Sequence, residues 1–185
     1  MKKSIIITAV IIIILSIWMG SSYNNLVVLN ETVDSKWSQV ENNLQRRADL
    51  IPNLVATVKG YAVHEEDIMN EIAAARSRLV SSGSVAEKAE ANAELNSALS
   101  RLLVVVENYP NLKADANFRQ LQDELAGTEN RIAVARKDYN DAVQVLNTRV
   151  KSFPTVIWAR MFGFSERDYF EAEESAQKVP QVEFD

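Results

Sequence analysis

Residues 4–30 carry no charge, a run of 27 positions bracketed by Lys2-Lys3 and Glu31. Its heart is Ile5-Ile6-Ile7-Thr8-Ala9-Val10-Ile11-Ile12-Ile13-Ile14-Leu15-Ser16-Ile17-Trp18-Met19-Gly20, which has no polar face. A helix needs roughly 20 mainly apolar residues to cross a bilayer. Residues 4–23 supply them, with Trp18 and Tyr23 near the far end as interfacial aromatics. In lipid, only a helix satisfies such a backbone from within. Lys2, Lys3 and the terminal amine hold the N-terminus on the cytoplasmic side, which sends the rest of the chain outside.

A cleaved signal peptide has the same basic start and apolar core. This run is long for a signal core and no Ala-x-Ala closes it, although Met19-Gly20-Ser21-Ser22 is small enough for a peptidase. No Cys follows, so a lipoprotein anchor is excluded. The expectation is an uncleaved anchor over residues 1–23.

Composition narrows the choices for the rest of the chain. There is no Cys and one His, which excludes disulfides, thiol nucleophiles, Cys-based zinc sites and any site of two imidazoles. Five Gly and four Pro in 185 residues leave too few turn residues for a sandwich or barrel. The net charge of -5 hides an asymmetry: without Lys2 and Lys3, 18 basic residues face 25 acidic ones, a net of -7. Such a chain is not expected to bind nucleic acid or anionic lipid by charge alone.

Beyond the anchor, apolar residues recur in steps of three and four, the signature of helices sharing a seam. Leu26, Leu29, Val33, Trp37, Val40 and Leu44 form one stripe, and Leu54, Val58, Tyr61, Ile68, Ile72 and Leu79 a second. Leu95, Leu99, Leu102 and Val106 form a third, and the fourth runs from Phe118 through Ile132 and Tyr139 to Val150. Pro52, the Ser81-Ser82-Gly83-Ser84 segment with Glu87 as a capping box, Pro110 and Pro154 punctuate them. The spacing predicts helices over residues 24–50, 52–81, 84–108 and 114–152. Short connections make neighbours antiparallel. The fold expected is therefore all-α: an N-terminal transmembrane helix followed by an antiparallel up-and-down four-helix bundle. Because Leu44, Ile51, Leu54 and Val58 keep one phase, a single helix kinked at Pro52 is an open alternative. The bundle is expected over residues 24–164, with an acidic C-terminal helix and tail over 165–185.

The motifs now resemble a family. Trp37-Ser38-Gln39-Val40-Glu41, then residues 45–55 (QRRADLIPNLV), then Val58-Lys59-Gly60-Tyr61, then residues 107–114 (ENYPNLKA) and Gly127-Thr128-Glu129-Asn130-Arg131-Ile132 occur in order. On these the chain resembles the LemA family of bacterial membrane proteins. The resemblance implies a single-pass protein of the cytoplasmic (inner) membrane, with an outer helical bundle and no established enzymatic activity.

The residues give little sign of catalysis. His64-Glu65-Glu66-Asp67 lacks the second His that a zinc-protease helix needs four residues on, where Ile68 stands. An all-carboxylate metal site from Glu65, Glu66, Asp67 and Glu71 competes with a plainer reading, a solvated acidic face, and the plainer one is preferred. No glycine-rich phosphate loop and no nucleophile elbow exist. No catalytic, cofactor or metal residue is therefore expected.

Two surfaces remain. Turns near Pro52 and Pro110 would meet at one tip, offering Arg46, Arg47, Asn53, Asn108 and Tyr109 as a partner-docking patch. The competing reading makes the charged residues of these motifs, with Glu129 and Arg136, a paired network fixing helix register. After Phe153, the apolar piece up to Phe164 either plugs the bundle's lower end or lies on the bilayer, with Trp158 and Phe162 as interfacial anchors. The function expected is a membrane-anchored, non-enzymatic scaffold or adaptor for other envelope or membrane proteins, capable of self-association. A lipid-organising protein is the alternative, and a carboxylate-metal enzyme a more distant one.

Overall fold

The computed structural model describes residues 2–62 and 64–171, with side chains from Ile6 onward. Among the described residues every regular element is helical: α1 (Lys2–Lys59), α2 (Glu66–Ser81), α3 (Val85–Val106), α4 (Pro110–Ala114), α5 (Ala116–Lys151) and α6 (Thr155–Phe162).

The expectation of a helix boundary at Pro52 fails. Proline inside a helix removes the N–H that would bond the carbonyl four residues back. Here that carbonyl belongs to Ala48, and the Arg76 Nε–H of α2 donates to it at 2.7 Å. The group that proline orphans is thus satisfied from a neighbouring helix. Leu44, Ala48, Ile51, Leu54 and Val58 are all buried, so the seam passes through Pro52 unbroken. The alternative that keeps one heptad phase is the one realised. The chain turns at residues 60–65 instead, where Gly60 N–H bonds Thr57 O and Tyr61 N–H bonds Val58 O.

The later boundaries fall close to expectation. Ser84 caps α3 as half of a capping box: its Oγ accepts from Glu87 N–H at 3.2 Å, and Glu87 Oε2 accepts from Ser84 N–H at 3.1 Å. Gly83 does not take the left-handed conformation, and α2 ends on Ser82 in extended conformation. The left-handed cap is Gly163, at φ 78°, closing α6. Asp115 starts α5 by accepting from Phe118 N–H at 2.9 Å. Residues 164–171 form no helix, so the acidic helix expected from residue 166 does not begin there. Its remainder and the tail lie outside the described residues.

The chain divides into two units. One comprises Met1–Ser38 and Lys137–Asp168. In it the start of α1, the end of α5 and α6 bury Leu26, Val33, Val143, Leu146 and Ala159. The Trp37 and Tyr139 rings pack at 5.1 Å between centroids, and Lys36 pairs with Asp138 at 3.0 Å. A strap after α6 is tied down by side chains. Asn147 exchanges two 2.9 Å hydrogen bonds with the Arg167 backbone, Tyr139 Oη donates to Asp168 O, and Arg167 reaches Asp34 at 2.6 Å.

The other unit comprises Gln39–Arg136 and Tyr169–Asp185. The rest of α1, α2, α3, α4 and the first part of α5 bury Val40, Ile51, Ile72, Leu95, Leu102, Leu112, Phe118 and Ile132. Arg78–Glu94 and Arg101–Glu71 link α2 to α3, and Lys88–Glu41 links α3 to α1.

Candidate functional site

The most unusual side chain is Arg47. On α1 it takes an inward position between Leu44 and Ala48, and it is 3% exposed. A buried guanidinium needs a partner for its charge and for its N–H groups. Arg47 Nη1 donates to Asn92 Oδ1 at 2.8 Å and pairs with Glu129; Nη2 donates to Asn96 Oδ1. Asn92 and Asn96 stand one turn apart on α3, while Glu129 comes from α5. One guanidinium therefore ties three helices. Burial pulls its pKa below the usual value, and the Glu129 charge pulls it back up. Its Nε–H is buried and makes no hydrogen bond.

Beside this knot, α3 and α5 leave an open groove of about 420 Å³. Leu99, Leu103, Leu125 and Ala126 line it with Arg47 and Glu129. The arrangement offers apolar walls and an ion pair whose Glu129 end is partly exposed. It can hold an apolar segment by shape and burial, and no nucleophile–base pair is built into it.

The predicted docking residues come from α1 and from the turn before α4. Arg46 and Asn53 are exposed, seven residues apart and so on one side of α1. Arg47 is inside. Asn108 and Tyr109 lie in the turn before α4, with Asn108 exposed. That turn does meet another, but at residues 60–65 rather than at Pro52. Tyr109 Oη donates to Glu65 at 3.0 Å, and Tyr61 Oη donates to Asp115 at 3.1 Å. Donation to a carboxylate raises both phenol pKa values, and Asp115 is lowered mainly by the Phe118 N–H. Glu65, one of the four carboxylates of the metal reading, is thus used as a brace. Among the described residues no three His, Asp or Glu side chains converge as metal ligands.

Trp158 and Phe162 are placed by the anchor. Trp158 packs edge-on against Trp18 at 6.2 Å, and Tyr23 packs against Phe162 at 5.0 Å and Phe164 at 5.8 Å. Sequence reasoning singled out these two aromatics and a paired network including Arg47 and Glu129, which the structure joins, but it missed Asn92 and Asn96 as the other partners. The signal was present: Asn92 and Asn96 sit at an i, i+4 spacing on the apolar side of α3, where a lone polar pair needs a partner.

Comparison with known proteins agrees with the motifs. The model of the LemA family matches residues 36–184. Magnetosome protein MamQ 2 of Paramagnetospirillum magneticum is 29% identical over 175 aligned residues, covering 80% of this chain. Magnetosome protein MamQ of Magnetospirillum gryphiswaldense is 27% identical over 174, again covering 80% of this chain. The match spans 64% of the length of each of these relatives.

Proposed function

The chain belongs to the LemA family, and from that premise we propose a membrane-anchored, non-enzymatic adaptor of the bacterial cell envelope. In this reading residues 4–23 cross the cytoplasmic membrane with the N-terminus inside. The helices beyond stand outside as an up-and-down four-helix bundle of α1, α2, α3 and α5. Support for the anchor is a helix long and apolar enough to cross a membrane, whose isoleucines are exposed on every side. Support for the bundle is the Arg47 knot, the Arg76–Ala48 bond and the ion pairs that join those four helices in one unit.

The observation that carries the adaptor reading is the α3–α5 groove. Its apolar walls suit the apolar face of a partner helix. Glu129, the partly exposed end of the ion pair at its edge, suits a donor group carried on that helix. The relatives are named for a cellular body rather than for a reaction, which accords with this reading.

Photo-crosslinking in cells tests it. A crosslinker at Leu103 or Ala126 should trap one discrete protein adduct, while Gln120 and Val134 should trap none. Adducts from Arg46, Asn53 or Tyr109 alone would move docking to the α1 side and the braced turns. An adduct of twice the chain's mass would make the partner a second copy. Stoichiometric metal in the purified chain, lost on Glu65→Gln with Glu66→Gln, would replace the reading with a carboxylate-metal enzyme.

A further inference from the structure

One apolar row on α6 and its leading turn has no protein partner face assigned to it. Phe153, Ile157 and Met161, spaced by four, are 81%, 50% and 59% exposed, while Thr155 and Ala159 on the other side are buried. A soluble domain rarely leaves such a contiguous row in water. Its place in the unit says what covers it. Trp158 against Trp18 and Phe162 against Tyr23 fix α6 alongside residues 18–23 of α1.

Those residues are the far end of the membrane span. A hydrocarbon core of about 30 Å takes roughly 20 residues of helix. Counted from Lys3, that ends near Tyr23, and Trp18 then lies about 7.5 Å inside the boundary. Basic groups stand at the matching level. Arg149 and Lys151 occupy the last turn of α5. Arg149 and Ser152 share a shallow groove with Asn25, just beyond the span. Arg160, near the end of α6, has a stem long enough to bring its charge out to the headgroups.

We propose that α6 and the turn before it form a lipid-facing collar at the mouth of the anchor, with Phe153, Ile157 and Met161 immersed in the bilayer. Trp158 and Phe162 are then the clasp that holds the collar to α1, and the lipid contacts belong to a different set of residues. The ring clasp makes the collar's depth a fixed property of the fold. The proposal rests on the anchor reading above, and its test separates the two.

The chain has no Cys, so single cysteines can be placed and labelled with an environment-sensitive fluorophore. The full chain is reconstituted in phosphatidylethanolamine–phosphatidylglycerol vesicles containing spin-labelled lipid, with iodide as the aqueous quencher. Labels at Phe153→Cys, Ile157→Cys and Met161→Cys should emit blue-shifted, be quenched by the lipid and lose iodide quenching. Ile12→Cys is the anchor reference and Asn53→Cys the aqueous one. If Ile12→Cys is lipid-quenched but the three collar sites respond to iodide like Asn53→Cys, the collar is refuted and the anchor stands. If Ile12→Cys itself responds to iodide, both fail. Shielding of the collar sites from both quenchers assigns the row to a protein partner and overturns the proposal.

Discussion

Two stretches of α1 obey opposite rules. From Ile6 to Ile17 the isoleucines and valines are exposed on every side of the helix. From Val40 to Val58 only one stripe is apolar, and that stripe is buried. The first stretch has no internal packing to lose, so its burial must come from a surrounding medium. The second is held by contacts from particular partners. Polar groups follow the same division. Ser16 satisfies its hydroxyl locally, on the Ile12 carbonyl at 2.8 Å. Arg47 needs partners from α3 and α5, and the carbonyl orphaned by Pro52 needs Arg76 of α2. A helix suited to lipid is self-sufficient; a helix suited to a protein core borrows.

The sharpest way to break this comparison is one substitution applied to both stretches. Ile51→Arg buries an unpaired charge and should destabilise the folded unit by about 4 kcal/mol, read by chemical denaturation. Ile12→Arg should leave that transition in place and cost about 3 kcal/mol of membrane insertion, read by alkaline extraction of membranes. Equal effects in both assays would end the distinction.

Arg47 comes next. Arg47→Ala strands Asn92 and Asn96 and should cost about 3 kcal/mol. Arg47→Met refills the space but leaves Asn92 and Asn96 just as unpaired, so it should recover only the packing share, about 1 kcal/mol. Full recovery would mean that packing, rather than the guanidinium's hydrogen bonds, holds the three helices.

A smaller effect isolates Pro52. Arg76→Ala leaves the Ala48 carbonyl without a donor and should cost about 1–2 kcal/mol. In the Pro52→Ala background the same change should cost almost nothing, since residue 52 then supplies its own N–H. Additivity of the two substitutions would overturn the assignment of Arg76 as the proline's compensating donor.

The smallest effect is acid sensitivity at two caps. Glu87 lies below its ordinary 4.5, chiefly through the Gly83 and Ser84 N–H groups, and Asp115 below its ordinary 3.8, chiefly through Phe118 N–H. A depressed folded pKa contributes stability that is present above the unfolded value and lost as pH falls through the folded one. Acidification from about pH 4.5 downward should therefore raise amide exchange at the starts of α3 and α5 first. Glu87→Gln should remove the pH dependence at α3 alone.

Much of this architecture was legible residue by residue. Steps of three and four placed Leu95, Leu102, Ile132 and Tyr139 inward, and all are buried. The Ser84–Glu87 box was legible because its chemistry is local, contained in four residues. Pro52 misled because a proline's cost inside a helix depends on what stands opposite. Arg76 lies 24 residues away, and nothing in its neighbours announces that it will serve Ala48. Arg47 and Arg46 look alike in the chain, and only the packing of α3 and α5 separates a buried knot from an exposed cation. Trp158 and Phe162 read as membrane residues by type; the ring pairs with Trp18 and Tyr23 turned them toward α1 and left Phe153, Ile157 and Met161 facing out.

The amino-acid sequence alone determined the helical class, the apolar span of residues 4–23 and the buried sides of α3 and α5. These arise from composition and period, which act over one or two turns. Tertiary structure decided that α1 runs on through Pro52, that Arg47 joins three helices, and that α6 clasps residues 18–23. Those outcomes depend on groups far apart in the chain meeting at hydrogen-bond or ring-packing distance, and no local pattern encodes that meeting.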